Sequence, residues 1–182
     1  MPSPVGHTLA GCCLLAAAAG GPRGASAQAG APFAAAMLVA ANLPDADFLL
    51  APLLRPLGIA LAHQGPTHSI LLVAAGALLL AATLRGAIRP RGALGWLFAA
   101  GVAHLALDYV SHDDRAPVGL PLFWPLADGY FHAPLDLFPG TDRDHPVSVR
   151  NALQLLAELA WTLPPLALLL RARLRRGAPG RP

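Results

Sequence analysis

The sequence contains no lysine, a single glutamate (Glu158), and only 13% charged residues over 182 positions. An average soluble domain carries about 25%. A disordered chain needs low hydrophobicity and high charge, so this scarcity excludes one. Cysteine is confined to the adjacent pair Cys12 and Cys13. Neighbouring thiols have poor disulfide geometry and no zinc spacing, so both read as small apolar packing residues. Internal repeats and alternating strand patterns are missing, as are a P-loop, a GxGxxG run, a CxxC pair and a nucleophile elbow. Nothing in the sequence explains the missing lysine.

Apolar residues make up 55% of the chain, and the mean hydropathy is +0.52. Although the isoelectric point is near 9.5, the net charge is only +3, which argues against a nucleic-acid partner. The length suits one domain. Two N-terminal patterns imitate targeting signals. Leu9-Ala10-Gly11-Cys12 matches a lipobox, but its apolar run follows the cysteine instead of preceding it. Ala25-Ser26-Ala27 resembles a signal-peptidase site, but no basic residue stands ahead of its apolar run.

Three apolar runs, Ser69–Leu84, Ala93–Val110 and Ala152–Leu170, approach the 17–25 residues of a bilayer span. Two shorter ones, Thr8–Gly20 and Gly30–Leu43, read as short spans, half-helices or core helices. Pro164-Pro165 predicts a kink in the last run. Gly21–Gly30 reads as a linker. The Pro-, Asp- and aromatic-rich segment 111–149 lacks helical periodicity and reads as an ordered irregular loop whose length favours a function. These features predict an all-α polytopic membrane bundle of about five transmembrane or half-membrane helices. Residues 1–176 would form one membrane-embedded domain, with 177–182 a disordered tail.

The charges are sorted along the chain. Arg23, then Arg85, Arg89 and Arg91, then Arg171, Arg173, Arg175, Arg176 and Arg181 occupy acid-free segments. The alternate segments hold every aspartate, with Arg55, Arg115, Arg143 and Arg150. The positive-inside rule then predicts five crossings, N-terminus out and C-terminus in. His7, Asp45, Asp47, His63, His68, His104, Asp108, His112 and Asp113 would gather at the non-cytoplasmic ends of the runs.

Histidines and carboxylates collected at one membrane face have the composition of a metal site. His104-x-x-x-Asp108-x-x-x-His112 places side chains four apart on one helix face, and ionisable groups inside an apolar run point to function. His63-Gln64-Gly65-Pro66-Thr67-His68-Ser69 begins the next run, with His68 expected in the first helical turn and Ser69 or Thr67 as its cap. Asn42-Leu43-Pro44-Asp45-Ala46-Asp47 offers two carboxylates at a turn. Each motif also has a structural reading: a His–Asp tie between helices, a capping turn, an Asp-rich helix start. Mixed imidazole and carboxylate donors suit Zn, Mn or Fe better than Ca or Mg. Metal-activated water attacking a phosphoryl or acyl centre is the usual chemistry of such a site. Leu122-Phe123-Trp124-Pro125-Leu126 and Tyr130-Phe131-His132 read as interfacial anchors or walls of a lipid pocket. Glu158 should turn inward and find a partner.

The start Met1-Pro2-Ser3-Pro4-Val5-Gly6-His7, the Leu43-Pro44-Asp45-Ala46-Asp47 turn, the His63-to-Ser69 segment, His104-x-x-x-Asp108 and Leu122-Phe123-Trp124-Pro125 occur in this order in one family. Over Met1 to Glu158 the chain resembles the bacterial membrane-bound metal-dependent hydrolases, a family with a LexA-regulated inner-membrane member. Gln64 stands where that family commonly has Arg, and Ser111-His112 where Thr is frequent. The resemblance implies an inner (cytoplasmic) membrane location and a metal-dependent hydrolase. The ligand order is also similar to that of zinc-dependent phospholipase C, but no His-x-x-x-Glu follows to complete a trinuclear site.

Together these readings predict a divalent metal, zinc first and Mn or Fe next. Its ligands would be His7, Asp45, Asp47, His68, His104 and Asp108, with His63 and His112 as supporting or alternate ligands. Asp45, Asp108 and His112 are the candidate catalytic groups, acting on a phosphoester or ester bond in a lipid or small molecule. The alternatives are a metal-ion or proton transporter with Glu158 and Asp108 as relay, and a structural membrane protein.

Overall fold

The computed structural model describes residues 1–19, 30–59, 62–86 and 92–177. The linker 21–29 with Arg23 and the Ala25-Ser26-Ala27 pattern, together with Arg89, Arg91 and the tail 178–182, lie outside the described residues. Among the described residues the architecture is all-α. The helices are α1 (Pro4–Ala19), α2 (Ala31–Asn42), α3 (Asp47–Leu54), α4 (Ile70–Thr83), α5 (Ala93–Tyr109) and α6 (Val149–Gly177).

The apolar runs become helices close to their expected bounds, but only two helical stretches reach the length of a membrane span. Ala31–Leu57 and Val149–Arg175 are long and apolar enough to cross a membrane. The run from Gly30 does not stop at Leu43, because Pro44 sits at the start of a 3-10 turn, Leu43–Ala46, where a missing N–H costs nothing. Helix α3 continues directly from it. By contrast α4 has only 14 residues, about 21 Å at 1.5 Å per residue, short of the ~30 Å hydrocarbon core. Helix α5 has 17 residues and α1 has 16. Helix α6 runs unbroken through Pro164-Pro165.

Small residues bring the helices together. Helix α1 lies against α2, α5 and α6, while α5 also contacts α2 and α4. A Cβ at Gly11 would meet Ala41 at 2.9 Å, and one at Gly101 would meet Val73 at 2.5 Å, so these crossings exist only with glycine. Phe33, Met37, Ala40, Ala41, Leu97 and Ala100 form the core between α1, α2 and α5. The outer surface is strongly apolar: Leu49, Leu53 and Leu57 are 70–73% exposed. Exposed leucines at this density are costly in water and suit lipid.

Residues 110–148 form the expected irregular loop. Two isolated bridges tie it, Ser111 to Phe138 and Leu120 to Phe131, and Phe123 meets Phe131 edge to face. Asn151 holds its end, accepting from Asp142 N and donating to the carbonyls of Asp142, His145 and Pro146. Arg150 pairs with Asp114 at 2.9 Å and holds that carboxyl below its ordinary range.

Candidate metal centre

The start of α1, the α2–α3 junction, the segment before α4 and the end of α5 meet at one end of the bundle. The sequence positions each donor there. His7 lies in the first turn of α1, Asp45 lies within the 3-10 turn that follows α2, and Asp47 directly follows that turn. Gln64 has φ +58°, the left-handed region that non-glycine residues seldom occupy, and this tight turn lets His63 and His68 face the same space. His68 sits in a separate 3-10 turn, Pro66–His68, one residue ahead of α4. Ser69 is the cap of α4, accepting from Leu72 N at 3.2 Å.

His7, His68, His104 and Asp108 are between 0% and 2% exposed. Their distances are informative. His68 Nε2 lies 3.5 Å from Asp45 Oδ1, 3.4 Å from Asp108 Oδ2 and 3.4 Å from His104 Nε2. His104 Nε2 lies 3.6 Å from Asp45 Oδ1 and 3.3 Å from Asp108 Oδ2. These are five of the six edges of a tetrahedron of donor atoms. Four ligands about 2.0–2.2 Å from a shared centre stand about 3.3–3.6 Å apart. His7 Nε2 lies 3.5 Å from Asp108 Oδ1, and its ring stacks on His104 at 3.6 Å between centroids.

The protons are elsewhere. His104 Nδ1 donates to the Ala41 carbonyl at 2.8 Å, leaving a lone pair on Nε2 in the neutral ring. Thr67 Oγ1 donates to Asp47 Oδ2 at 3.2 Å and accepts from His68 Nδ1 at 3.1 Å, which leaves the same lone pair on His68 Nε2. Asp108 Oδ1 and Oδ2, Asp45 Oδ1 and both His7 nitrogens are buried without a hydrogen-bond partner. Lone pairs and carboxylate oxygens crowded out of water need a cation among them. Three groups of these residues can hold a metal ion: His7–His104–Asp108, Asp45–His68–His104 and Asp47–His63–His68. The donor set therefore fits a metal.

The structure brings together His7, Asp45, Asp47, His63, His68, His104 and Asp108, and separates their roles. Asp47 is fully engaged: His63 Nδ1 donates to its Oδ1 at 2.8 Å, and Thr67 to its Oδ2. His112 is not brought in. Helix α5 ends at Tyr109 and Ser111 enters a bridge with Phe138, so the four-residue helical spacing does not extend to His112. Its ring instead pairs with Asp136 at 2.7 Å, and His132 approaches the other oxygen of Asp136 at 3.3 Å. Asp113 holds the loop by accepting from Arg115 N and Gly119 N. Thr67 and the Ala41 carbonyl, which fix the imidazole tautomers, were not expected. A hydroxyl directly before His68 was their only sequence signal.

Glu158 does find a partner. It is 1% exposed and accepts from Ser3 N at 2.5 Å, Ser3 Oγ at 2.6 Å and Gln154 Nε2 at 2.8 Å. Its hydrogen bonds go to Ser3 and Gln154 and not to Asp108.

Neither the curated proteins nor the solved structures contain a match to the chain. The family model for YdjM inner membrane protein matches residues 1–172. With nearly its whole length covered, including every residue of the centre, the chain belongs to the YdjM inner membrane protein family.

Proposed function

We propose that the protein is a membrane-embedded, metal-dependent hydrolase of phosphate or carboxylic esters, with its centre at the non-cytoplasmic end of a multi-pass bundle. The observation that supports this reading most strongly is the group of buried, unpartnered oxygens and nitrogens of Asp45, Asp108 and His7, facing two imidazole lone pairs. Asp45, His68, His104 and Asp108 would hold a divalent cation, zinc above Mn or Fe given the donors, with His7 at the second oxygen of Asp108. Such a cation supplies Lewis acidity, lowering the pKa of a water and polarising the ester oxygen.

His63 is the proton acceptor in this reading, in preference to Asp45 or Asp108, whose oxygens face the other donors. Asp47 holds His63 Nδ1–H, which leaves the lone pair on Nε2 at the opening, 3.8 Å from Asp45 Oδ1 and facing the Met1 thioether, a weak and displaceable neighbour. Asp47 thus fixes the tautomer and ring orientation. Water oxygen forms the new bond to phosphorus or acyl carbon and the ester bond breaks. The proton taken at His63 Nε2 passes to the leaving alkoxide. The exposed leucines of α3 beside the opening suit a lipid substrate.

The orientation is supported by charge. Arg171, Arg173 and Arg175 lie at the far end of α6 from Glu158, and Arg85 follows the far end of α4. Asp113, Asp114, Asp128, Asp136, Asp142 and Asp144 lie in the loop at the site end. Purified protein assayed on phosphoester and carboxylic ester panels should hydrolyse one class, lose activity with a chelator and regain it with zinc. Metal-dependent uptake into liposomes without hydrolysis of any substrate would replace the enzyme with a transporter.

A further inference from the structure

Arg143 stands at the mouth of the metal centre. Its Cζ lies 5.3 Å from the centroid of the Phe48 ring, and Phe48 stacks on His63 at 3.9 Å. Arg143 Nη2 reaches Met1 Sδ, the atom that His63 Nε2 approaches at 2.8 Å. A guanidinium and an imidazole from distant parts of the chain therefore converge on one point. That point lies at the opening: His63 and Asp45 are the cluster's accessible members, each 13% exposed.

Among the described residues Arg143 has no acid partner. The other arginines of the loop and its exit, Arg115 and Arg150, donate to Asp144 and Asp114 at 2.9 Å. Arg143 forms no ion pair with any described residue, and burial pulls its guanidinium below its ordinary value. A desolvated cation without an anion is costly. The thioether in front of it is a weak acceptor on an adaptable side chain, easily displaced. Asp45, Asp47 and Asp108 with one divalent cation leave a single negative charge, which Arg143 cancels, so an anion approaching the opening is not repelled.

We propose that Arg143 is the anion-recognition residue of this centre, and that it receives a phosphoryl oxygen, making the substrate a phosphate ester. A carboxylic ester offers the guanidinium no charge to pair with. The non-bridging oxygens of a phosphate ester match its planar fork and gain stabilisation as charge develops on them. This inference rests on the hydrolytic reading of the same site.

The test is calorimetric titration of the full chain with inorganic phosphate, in a phosphate-free maltoside detergent, with zinc bound and again after chelation. Wild type should bind phosphate. Arg143→Gln should lose at least tenfold in affinity with unchanged zinc content, and Arg143→Lys should recover part of it. Undiminished binding in Arg143→Gln, or no binding by wild type in either state, would overturn the proposal. A protein that retains no zinc yet binds phosphate through Arg143 would overturn the metal reading and keep this one. A parallel titration with short-chain phosphatidic acid separates the sources: tighter Arg143-dependent binding than for free phosphate assigns a lipid, and equal binding a soluble ester.

Discussion

Asp108 and Glu158 are both buried acids facing the first turn of α1, one beside His7 and the other beneath Gly6, where a Cβ would lie 2.7 Å from Glu158 Cδ. Their surroundings are opposite. Glu158 collects three donors, Ser3 N, Ser3 Oγ and Gln154 Nε2. At the N-terminus of α1 its charge also meets the positive end of the helix dipole. Asp108 Oδ2 meets the Nε2 atoms of His104 and His68, whose ring protons are directed at Ala41 and Thr67, and both its oxygens lack a hydrogen-bond partner. An acid surrounded by donors ties helices together. An acid surrounded by acceptors is arranged for a cation that the protein does not itself supply.

Removing each acid should therefore have opposite consequences. The largest effect on folding is expected from Glu158→Ala, which leaves Ser3 and Gln154 without their acceptor. It should cost about 1–3 kcal/mol for each donor left unpaired, read as a lowered denaturation midpoint, with zinc binding retained in the fraction that folds. Retention of wild-type stability would remove Glu158 from its structural role.

Next in size is the response of the metal-free protein to Asp108→Asn. The uncompensated carboxylate disappears, so chelated Asp108→Asn should melt at or above chelated wild type. If Asp108 were instead held by protonated imidazoles, its loss would break buried ion pairs and lower the melting temperature, as the structural or proton-transport alternatives require. Thr67→Val tests the tautomer. It leaves His68 in place but frees its Nδ1 proton, and should weaken zinc affinity 10–100-fold with little change in melting. Smallest is Asp136→Asn, which unties His112 and His132 in the exposed part of the loop. It should change stability by less than about 1 kcal/mol and leave zinc binding unaltered, placing His112 outside the centre.

The contrast also shows what the sequence makes legible. The His/Asp cluster could be read because its elements are local. His104 and Asp108 are four apart on a helix, His63 and His68 stand on either side of the tight turn at Gln64, and Asp45 and Asp47 are two apart at the start of α3. Glu158 could be expected to face inward, but Ser3 as its partner could not, since 155 residues separate them. Arg143 and Phe48 were missed for the same reason: nothing local marks residues that meet only through tertiary packing. His112 was misplaced because helical spacing says nothing about where a helix stops, and α5 gives way to a loop bridge at Ser111. The run Gly30–Leu43 matches α2, which stops at Asn42; the helical path beyond it is hidden because Pro44 reads as a break, whereas at the start of a new turn it continues the chain's direction into the next helix.

In the proposed centre Asp108, and not Glu158, is the buried acid that holds metal. Mass spectrometry of metal per chain in purified wild type, Asp108→Asn and Glu158→Gln distinguishes the two. Stoichiometric zinc, manganese or iron is expected in wild type and in Glu158→Gln, with its loss in Asp108→Asn. A wild-type protein without bound metal, or an Asp108→Asn protein with as much as wild type, would contradict this role for Asp108.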